Sequence, residues 1–150
     1  MPELLHAVSD ALSEHLGLLS NGTHIPQRRD KKIQQELVKA AGLRSVRQAG
    51  GKTVGDVEEF LHTEPYPIVV KPVESAGSDG VKLCHTYEEA TQHFDLLMHS
   101  QRKVGHRDGA AVLCQEFLRG TEYVVDTVSR DGIHKVVSEC INSFSCKAIE

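Results

Sequence analysis

Apolar residues recur every four positions at Leu4, Val8, Leu12 and Leu16. This is the spacing of one helix face, and it predicts a helix that stops near Gly17. A polar stretch with Asn21-Gly22 and Pro26 follows. A second helix is expected to open at Asp30, to bury Ile33, Leu37 and Ala40, and to end at Gly42, a residue suited to the left-handed position past a helix end. Leu43 to Gln48 reads as a short strand and Gly50-Gly51 as a turn. Thr53 with Asp56 resembles a capping box, opening a helix that turns Val57, Phe60 and Leu61 inward.

The second half carries a different pattern. Pro65-Tyr66-Pro67 precludes helix, and Ile68-Val69-Val70-Lys71-Pro72 is a short, nearly continuous apolar strand. Glu74 to Gly80 is a glycine- and serine-rich loop, from which Val81 to Cys84 returns as a second strand. Thr86 and Glu89 form a capping box, and Ala90, Phe94, Leu97 and Met98 share one face of the helix it opens. Gln101 to Gly109 reads as a solvated loop. Ala110 to Leu118 and Thr121 to Arg130 are expected strands, Asp131-Gly132 is a hairpin turn signal, and Ile133 to Val137 pairs back. Helices first, then two hairpins around one helix, predict an α+β fold with a largely antiparallel sheet.

Composition narrows the class of partner. The 150 residues suit one domain, or a piece of a larger protein, given the usual size of roughly 100–200 residues per domain. A hydrophobic share of 39% and a charged share of 25% are those of a globular chain rather than a disordered one. With 17 Lys and Arg against 21 Asp and Glu, the formal charge of -4 argues against a nucleic-acid partner, whose affinity rests on clustered cations. Trp is absent, so the core must be built from Leu, Val, Ile and Ala. The apolar runs fall far short of the roughly 20 residues of a membrane helix. Met1 to His6 lacks the pattern of a signal peptide, so Asn21-Gly22-Thr23 is expected to match a glycosylation acceptor by chance. Cys84, Cys114, Cys140 and Cys146 show no zinc-ligand spacing, and Cys84 and Cys114 sit within apolar runs as small core residues. A reducing, cytoplasmic setting is the expectation.

Two segments carry candidate chemistry. In the first, Lys71 closes a strand and is followed by Ser75-Ala76-Gly77-Ser78-Asp79-Gly80-Val81. Backbone N–H groups of such a loop can converge on phosphate oxygens, because glycine removes the Cβ that would block approach. Serine hydroxyls add donors and the lysine a point charge. A plain hairpin turn has the same composition, and neither a Walker A order nor Gly-x-Gly-x-x-Gly is present. In the second segment, Gln115-Glu116 ends a strand, Phe117-Leu118 turns the chain, and Glu122 follows Gly120. A connector of this kind can offer N–H and C=O to an adenine edge, with a carboxylate for ribose hydroxyls. A simple strand connection with a solvated Glu fits the same residues.

These two segments in this order, preceded by Arg28-Arg29-Asp30-Lys31, resemble the ATP-grasp superfamily, and most of all its amino-acid ligase branch. The resemblance covers about Gln27 to Val137. It implies a partial ATP-grasp fold: a small α+β nucleotide-binding subdomain with antiparallel sheet, plus the first strands of the central sheet. Residues 1–26 would be a remnant of a preceding domain or a linker, 27–137 a partial ATP-grasp domain, and 138–150 a divergent tail. Lys31 would reach the nucleotide phosphates from the start of its helix, although a surface Lys beside Lys32 reads equally well. Lys71 would contact the α- and β-phosphates. Ser75, Ala76, Gly77, Ser78, Gly80 and Val81 would form the loop over the triphosphate, with Ser78 the chief hydroxyl donor. Gln115, Glu116, Phe117 and Leu118 would frame the adenine, the Leu118 N–H donating to the ring, and Glu122 would hold the ribose.

The implied reaction activates a carboxylate, an amino acid in this branch, as an acyl phosphate for attack by an amine, with ATP and Mg²⁺ as cofactors. Family members hold Mg²⁺ with a later Glu, a second Glu and an Asn. Glu139 and Asn142 are present, but residues 138–150 do not reproduce that pattern. The expectation is therefore the ATP-binding portion of a ligase, with the metal ligands outside this chain. The alternatives are a non-catalytic nucleotide-binding or interaction module, and half of a split enzyme. Tyr123 to Val128 is β-branched and sparsely charged, so self-association through an exposed sheet edge is a further expectation. With no apolar anchor evident between Ser75 and Gly80, that loop is expected to gain its order from phosphate.

Overall fold

The computed structural model describes residues 2–18, 30–74, 78–103 and 111–141. The elements run α1 (Pro2–His15), α2 (Lys31–Ala40), β1 (Gln48–Gly51), a 3-10 turn (Val54–Val57), α3 (Glu58–Thr63), β2 (Ile68–Pro72), β3 (Lys82–Cys84), α4 (Tyr87–Lys103), β4 (Val112–Glu116), β5 (Tyr123–Arg130) and β6 (Ile133–Ile141). Four strands form one antiparallel sheet in the order β1-β4-β2-β3, and β5 and β6 form a separate hairpin. The α+β expectation holds.

Period-two alternation assigns the sheet two unlike faces. Ile68 and Val70 of β2, Val112 and Cys114 of β4, and Cys84 of β3 pack into one cluster with Ala90, Phe94, Leu97 and Met98 of α4 and with Val57 and Leu61. The apolar stripe of α4 is thus the one its sequence spacing announces. The buried thiols of Cys84 and Cys114 are free, and burial pushes them up to about 11 and about 12, which leaves them inert core residues at neutral pH. The opposite face carries Val69 paired with Gln115, and Lys71 paired with Leu113.

Several expectations need correction. Gly50 and Gly51 are strand residues, paired with Leu113 and Val112, rather than a turn. Leu43 to Arg47 lie ahead of β1, not in it. A Cβ on Gly51 would stand 2.2 Å from Asp56 Cβ, so glycine here serves close packing. Asp56 Oδ2 accepts the N–H groups of Lys52 and Thr53 at 2.8 and 2.9 Å, and those bonds hold its carboxyl below the usual range. The expected helix at this point begins as a 3-10 turn, and Val57 and Leu61 are buried as anticipated.

Asp30 caps α2, its carboxylate accepting from Lys32 and Ile33 N–H at 2.8 and 2.9 Å. Gly42 takes the expected left-handed φ of 75°. Leu37 and Ala40, expected inside, are exposed, and Lys32 in the first turn of α2 is what reaches β1. Val8, Leu12 and Leu16 of α1 are likewise exposed. At α4, Thr86 Oγ1 accepts the Glu89 N–H at 3.2 Å, while Glu89 reaches His85 N–H at 2.8 Å, one residue before the usual partner. β4 is trimmed to Val112–Glu116 because the connector leaves the sheet at Phe117. The hairpin turns through Asp131 and Gly132, with φ of 51° and 75°, but β6 runs four residues beyond Val137, to Ile141, since pairing with β5 resumes at Ser138 past a register shift that skips Val137.

Candidate functional site

The sheet face away from α4 carries Lys71 and Gln115 among the candidate residues. Lys71 lies half-buried on it. Burial, then the neighbouring Lys31 ammonium, push the Lys71 ammonium to a lower pKa than an ordinary lysine. Lys31 begins α2, and its Nζ donates to Val73 O at 3.3 Å while its backbone N–H reaches the same carbonyl at 3.4 Å. The chain therefore brings two cations together from positions forty residues apart in sequence, beside a capped helix start. Among the described residues, no acceptor bonds to the Lys71 ammonium. An anion between these two lysines would relieve their repulsion.

The glycine-rich loop leaves this point. Ser75, Ala76 and Gly77 lie outside the described residues. Ser78 has φ 62°, is exposed, and its carbonyl accepts Val81 N–H at 3.2 Å. Gly80, at φ 72°, is wedged so tightly that a Cβ would stand 2.9 Å from Leu97 Cδ2 and 3.0 Å from Pro72 Cγ. His93 Nε2 lies 2.9 Å from the Gly80 carbonyl, and the geometry has the ring donating. The loop thus has an apolar anchor at this end, contrary to the expectation that it has nothing to pack against. Val81 leads from that anchor into β3.

Gln115 and Glu116 lie on opposite faces, as successive strand residues must. Gln115 shares the face of Lys71. Its Nε2 donates to Gln48 Oε1 at 2.8 Å, and Gln48 Nε2 donates to Lys32 O at 2.9 Å, an amide relay tying β4 and β1 to the start of α2. Among the described residues the Gln115 Oε1 accepts no hydrogen bond, although the side chain is buried. Glu116 instead turns toward Arg44 and Arg47. Its Oε1 accepts Arg47 N–H at 2.9 Å and Arg44 Nη2 at 3.1 Å, and its Oε2 lies 2.7 Å from Arg47 Nη2. Arg47 also forks Glu64, with Nε to Oε2 at 2.9 Å and Nη2 to Oε1 at 2.6 Å. Phe117 follows with the Arg119 guanidinium 5.6 Å from its ring centroid, and Leu118 and Glu122 are exposed.

Gln48, Arg44, Arg47, Glu64 and His93 carry no motif that sequence reading could have used. The Arg47–Glu116 bond spans 69 residues, and only the sheet makes them neighbours. One consequence is testable. The Arg47 hydrogen bond holds the Glu64 carboxyl below the usual range. Its stabilising contribution is then present above the unfolded-state value and lost as pH falls through the folded one. Carboxyl NMR shifts should place the Glu64 midpoint below that of an ordinary Glu, and Arg47→Ala should move it back up. An unmoved midpoint would mean that the ion pair is not formed in solution.

No three acidic, His or Cys side chains are gathered to hold a metal among the described residues. Glu139 lies on β6 opposite Val125, and Asn142 lies outside the described residues. The described residues thus gather no such ligand set for the Mg²⁺ that the resemblance implies.

An antiparallel α+β unit with two neighbouring lysines and a glycine-rich segment after β2 is the arrangement that the ATP-grasp resemblance implies. Residues 29–142 match the family model of the phosphoribosylglycinamide synthetase ATP-grasp (A) domain, and the chain belongs to that family. It is 34% identical over 128 residues to dapdiamide A synthase of Enterobacter agglomerans, covering 83% of this chain and 30% of that protein. Among solved structures, L-amino acid ligase from Bacillus licheniformis superposes with a TM-score of 0.75 at 20% identity, over 90% of this chain and 32% of that one. The biotin carboxylase domain of Hydrogenobacter thermophilus 2-oxoglutarate carboxylase, solved with MgADP, ADP and bicarbonate, gives 0.62 at 20% identity, over 78% of this chain and 26% of that one. The chain spans about a third of the length of such relatives. No helix among the described residues is long and apolar enough to cross a membrane.

Proposed function

We propose that the face bearing Lys71 and Gln115 binds ATP, and that the whole protein joins a carboxylate to an amine. The closeness of Lys31 to Lys71, with the Lys31 ammonium on the Val73 carbonyl just past β2, carries this reading. Two like charges brought together in a half-buried place favour a polyanion between them. The unbonded Gln115 Oε1 suits the amino group of adenine. The Leu118 N–H suits a ring nitrogen and Glu122 the ribose hydroxyls. In the whole protein a carboxylate oxygen of the substrate takes the γ-phosphoryl group, giving an acyl phosphate and ADP. The amine nitrogen then attacks the acyl carbon and phosphate leaves. The name of L-amino acid ligase, a neighbour in fold, is what suggests an amino acid as the carboxylate.

Calorimetry with ATP, adenosine and inorganic tripolyphosphate tests the site. ATP should bind more tightly than either half, and tripolyphosphate affinity should fall with salt, as screened charge pairs do. Binding of none of the three would end the proposal. Glu122→Ala should weaken ATP and adenosine by similar factors and leave tripolyphosphate unchanged. Undiminished adenosine affinity would take Glu122 out of the site.

A further inference from the structure

We infer that Glu116 is not a ligand of the nucleobase but a positioning residue, and that its clamp with Arg47 and Glu64 sets the geometry, and so the base selectivity, of the Phe117–Leu118 connector. This rests on the nucleotide reading above. Strand alternation sends the Glu116 side chain to the face opposite Gln115 and Lys71, so its carboxylate is turned away from a nucleotide on that face. It is buried, yet both oxygens are engaged: Oε1 by Arg47 N–H and Arg44, Oε2 by the Arg47 guanidinium. Its own N–H donates to Arg47 O at 3.0 Å. Glu116 and Arg47 are thus joined by one backbone bond just before the start of β1, and the Glu116 carboxylate adds the Arg47 N–H and guanidinium to the link. Arg47 carries the restraint on to Glu64, just past α3.

The location gives the clamp its consequence. Glu116 is the last residue of β4, and Phe117 and Leu118 leave the sheet directly after it. The next two residues supply the backbone N–H and C=O that would read a base edge. Hydrogen bonds to a planar base tolerate little misplacement, so the start of the connector must be held. A charged fork to a buried carboxylate does this more rigidly than a neutral contact. Nothing in the clamp reaches toward Lys31 or Lys71, so phosphate recognition should be independent of it.

The test uses the full chain with adenosine as the base probe, tripolyphosphate as the phosphate probe, and ATP against GTP for selectivity. Glu116→Ala is expected to weaken adenosine about tenfold, which is about 1.4 kcal/mol, and to narrow the preference for ATP over GTP. Tripolyphosphate affinity should stay within about twofold, near the limit of a calorimetric difference. Glu116→Gln keeps an acceptor for Arg47 N–H and should lose less than Glu116→Ala. Should Glu116→Ala fail to fold, Arg47→Met removes the same fork from a side chain that is 60% exposed, and the same split is expected. Equal losses for adenosine and tripolyphosphate, or no loss for either, would overturn the inference. If the parent chain binds neither probe, the nucleotide reading itself fails, and the two failures are told apart.

Discussion

Replacing Lys71 by methionine should weaken ATP binding by about 1.5–3 kcal/mol, the range for a hydrogen bond to a charged group, while making the nucleotide-free chain more stable. Both effects follow from one placement. The Lys71 ammonium is half-buried, and burial and Lys31 both press against its charge. Its folded-state pKa is therefore below its unfolded value, so between the two the unfolded chain holds more protons than the folded one and stability rises with pH. The stability cost of the charge is fully present below the folded pKa and is relieved as pH rises toward the unfolded one. Methionine keeps the stem and removes the charge, so the apo melting temperature should rise at neutral pH. Adenosine affinity should change little, since adenosine has no phosphate. Thermal melts and calorimetry of the variant check both parts. A fall in apo stability together with equal loss of ATP and adenosine would show that the substitution acted on folding, and would remove Lys71 from a phosphate site.

The second large effect concerns the opposite face. Phe94 is fully buried among β2, β3 and the helices that cover them. Phe94→Ala should cost about 3–5 kcal/mol in stability, transfer plus cavity, a large part of the roughly 5–15 kcal/mol that holds a typical domain. Because Phe94 and Lys71 lie on different faces of one sheet, tripolyphosphate affinity well below the lowered melting temperature should be nearly that of the parent. Denaturant melts give the first quantity and calorimetry in the cold gives the second. A stability loss under about 1 kcal/mol would mean that the cavity collapses and that the face is less tightly packed than the structure has it.

Local signals were enough for much of the molecule. The i, i+4, i+7, i+8 spacing of Ala90, Phe94, Leu97 and Met98 determined which side of α4 is buried. Asp30 and Thr86 determined where helices begin, Gly42 where α2 ends, and Asp131-Gly132 where the hairpin turns. These succeed because capping, turn chemistry and amphipathic spacing act within a few residues. Lys71 and the loop beyond it were legible as candidates for the same reason: a strand, a run of small residues and a cation stand side by side in the chain.

Other features depended on partners far away in sequence. Gly50 and Gly51 have the composition of a turn and are strand residues, because β4 lies beside them and Asp56 leaves no room for a side chain. Leu37 has the spacing of a core residue and remains half exposed, while Lys32 in the first turn of α2 is what reaches β1. Gln115 and Glu116 are neighbours of similar shape, and only pairing with β2 shows that one shares a face with Lys71 while the other faces Arg47. The sequence by itself determined most of the elements, the antiparallel α+β class and the residue types of a phosphate site. Only the tertiary structure decided that Lys31 meets Lys71 and that Glu116 is clamped to Arg47 and its Glu64 partner, since strand register and helix docking follow from contacts between segments that no local pattern encodes.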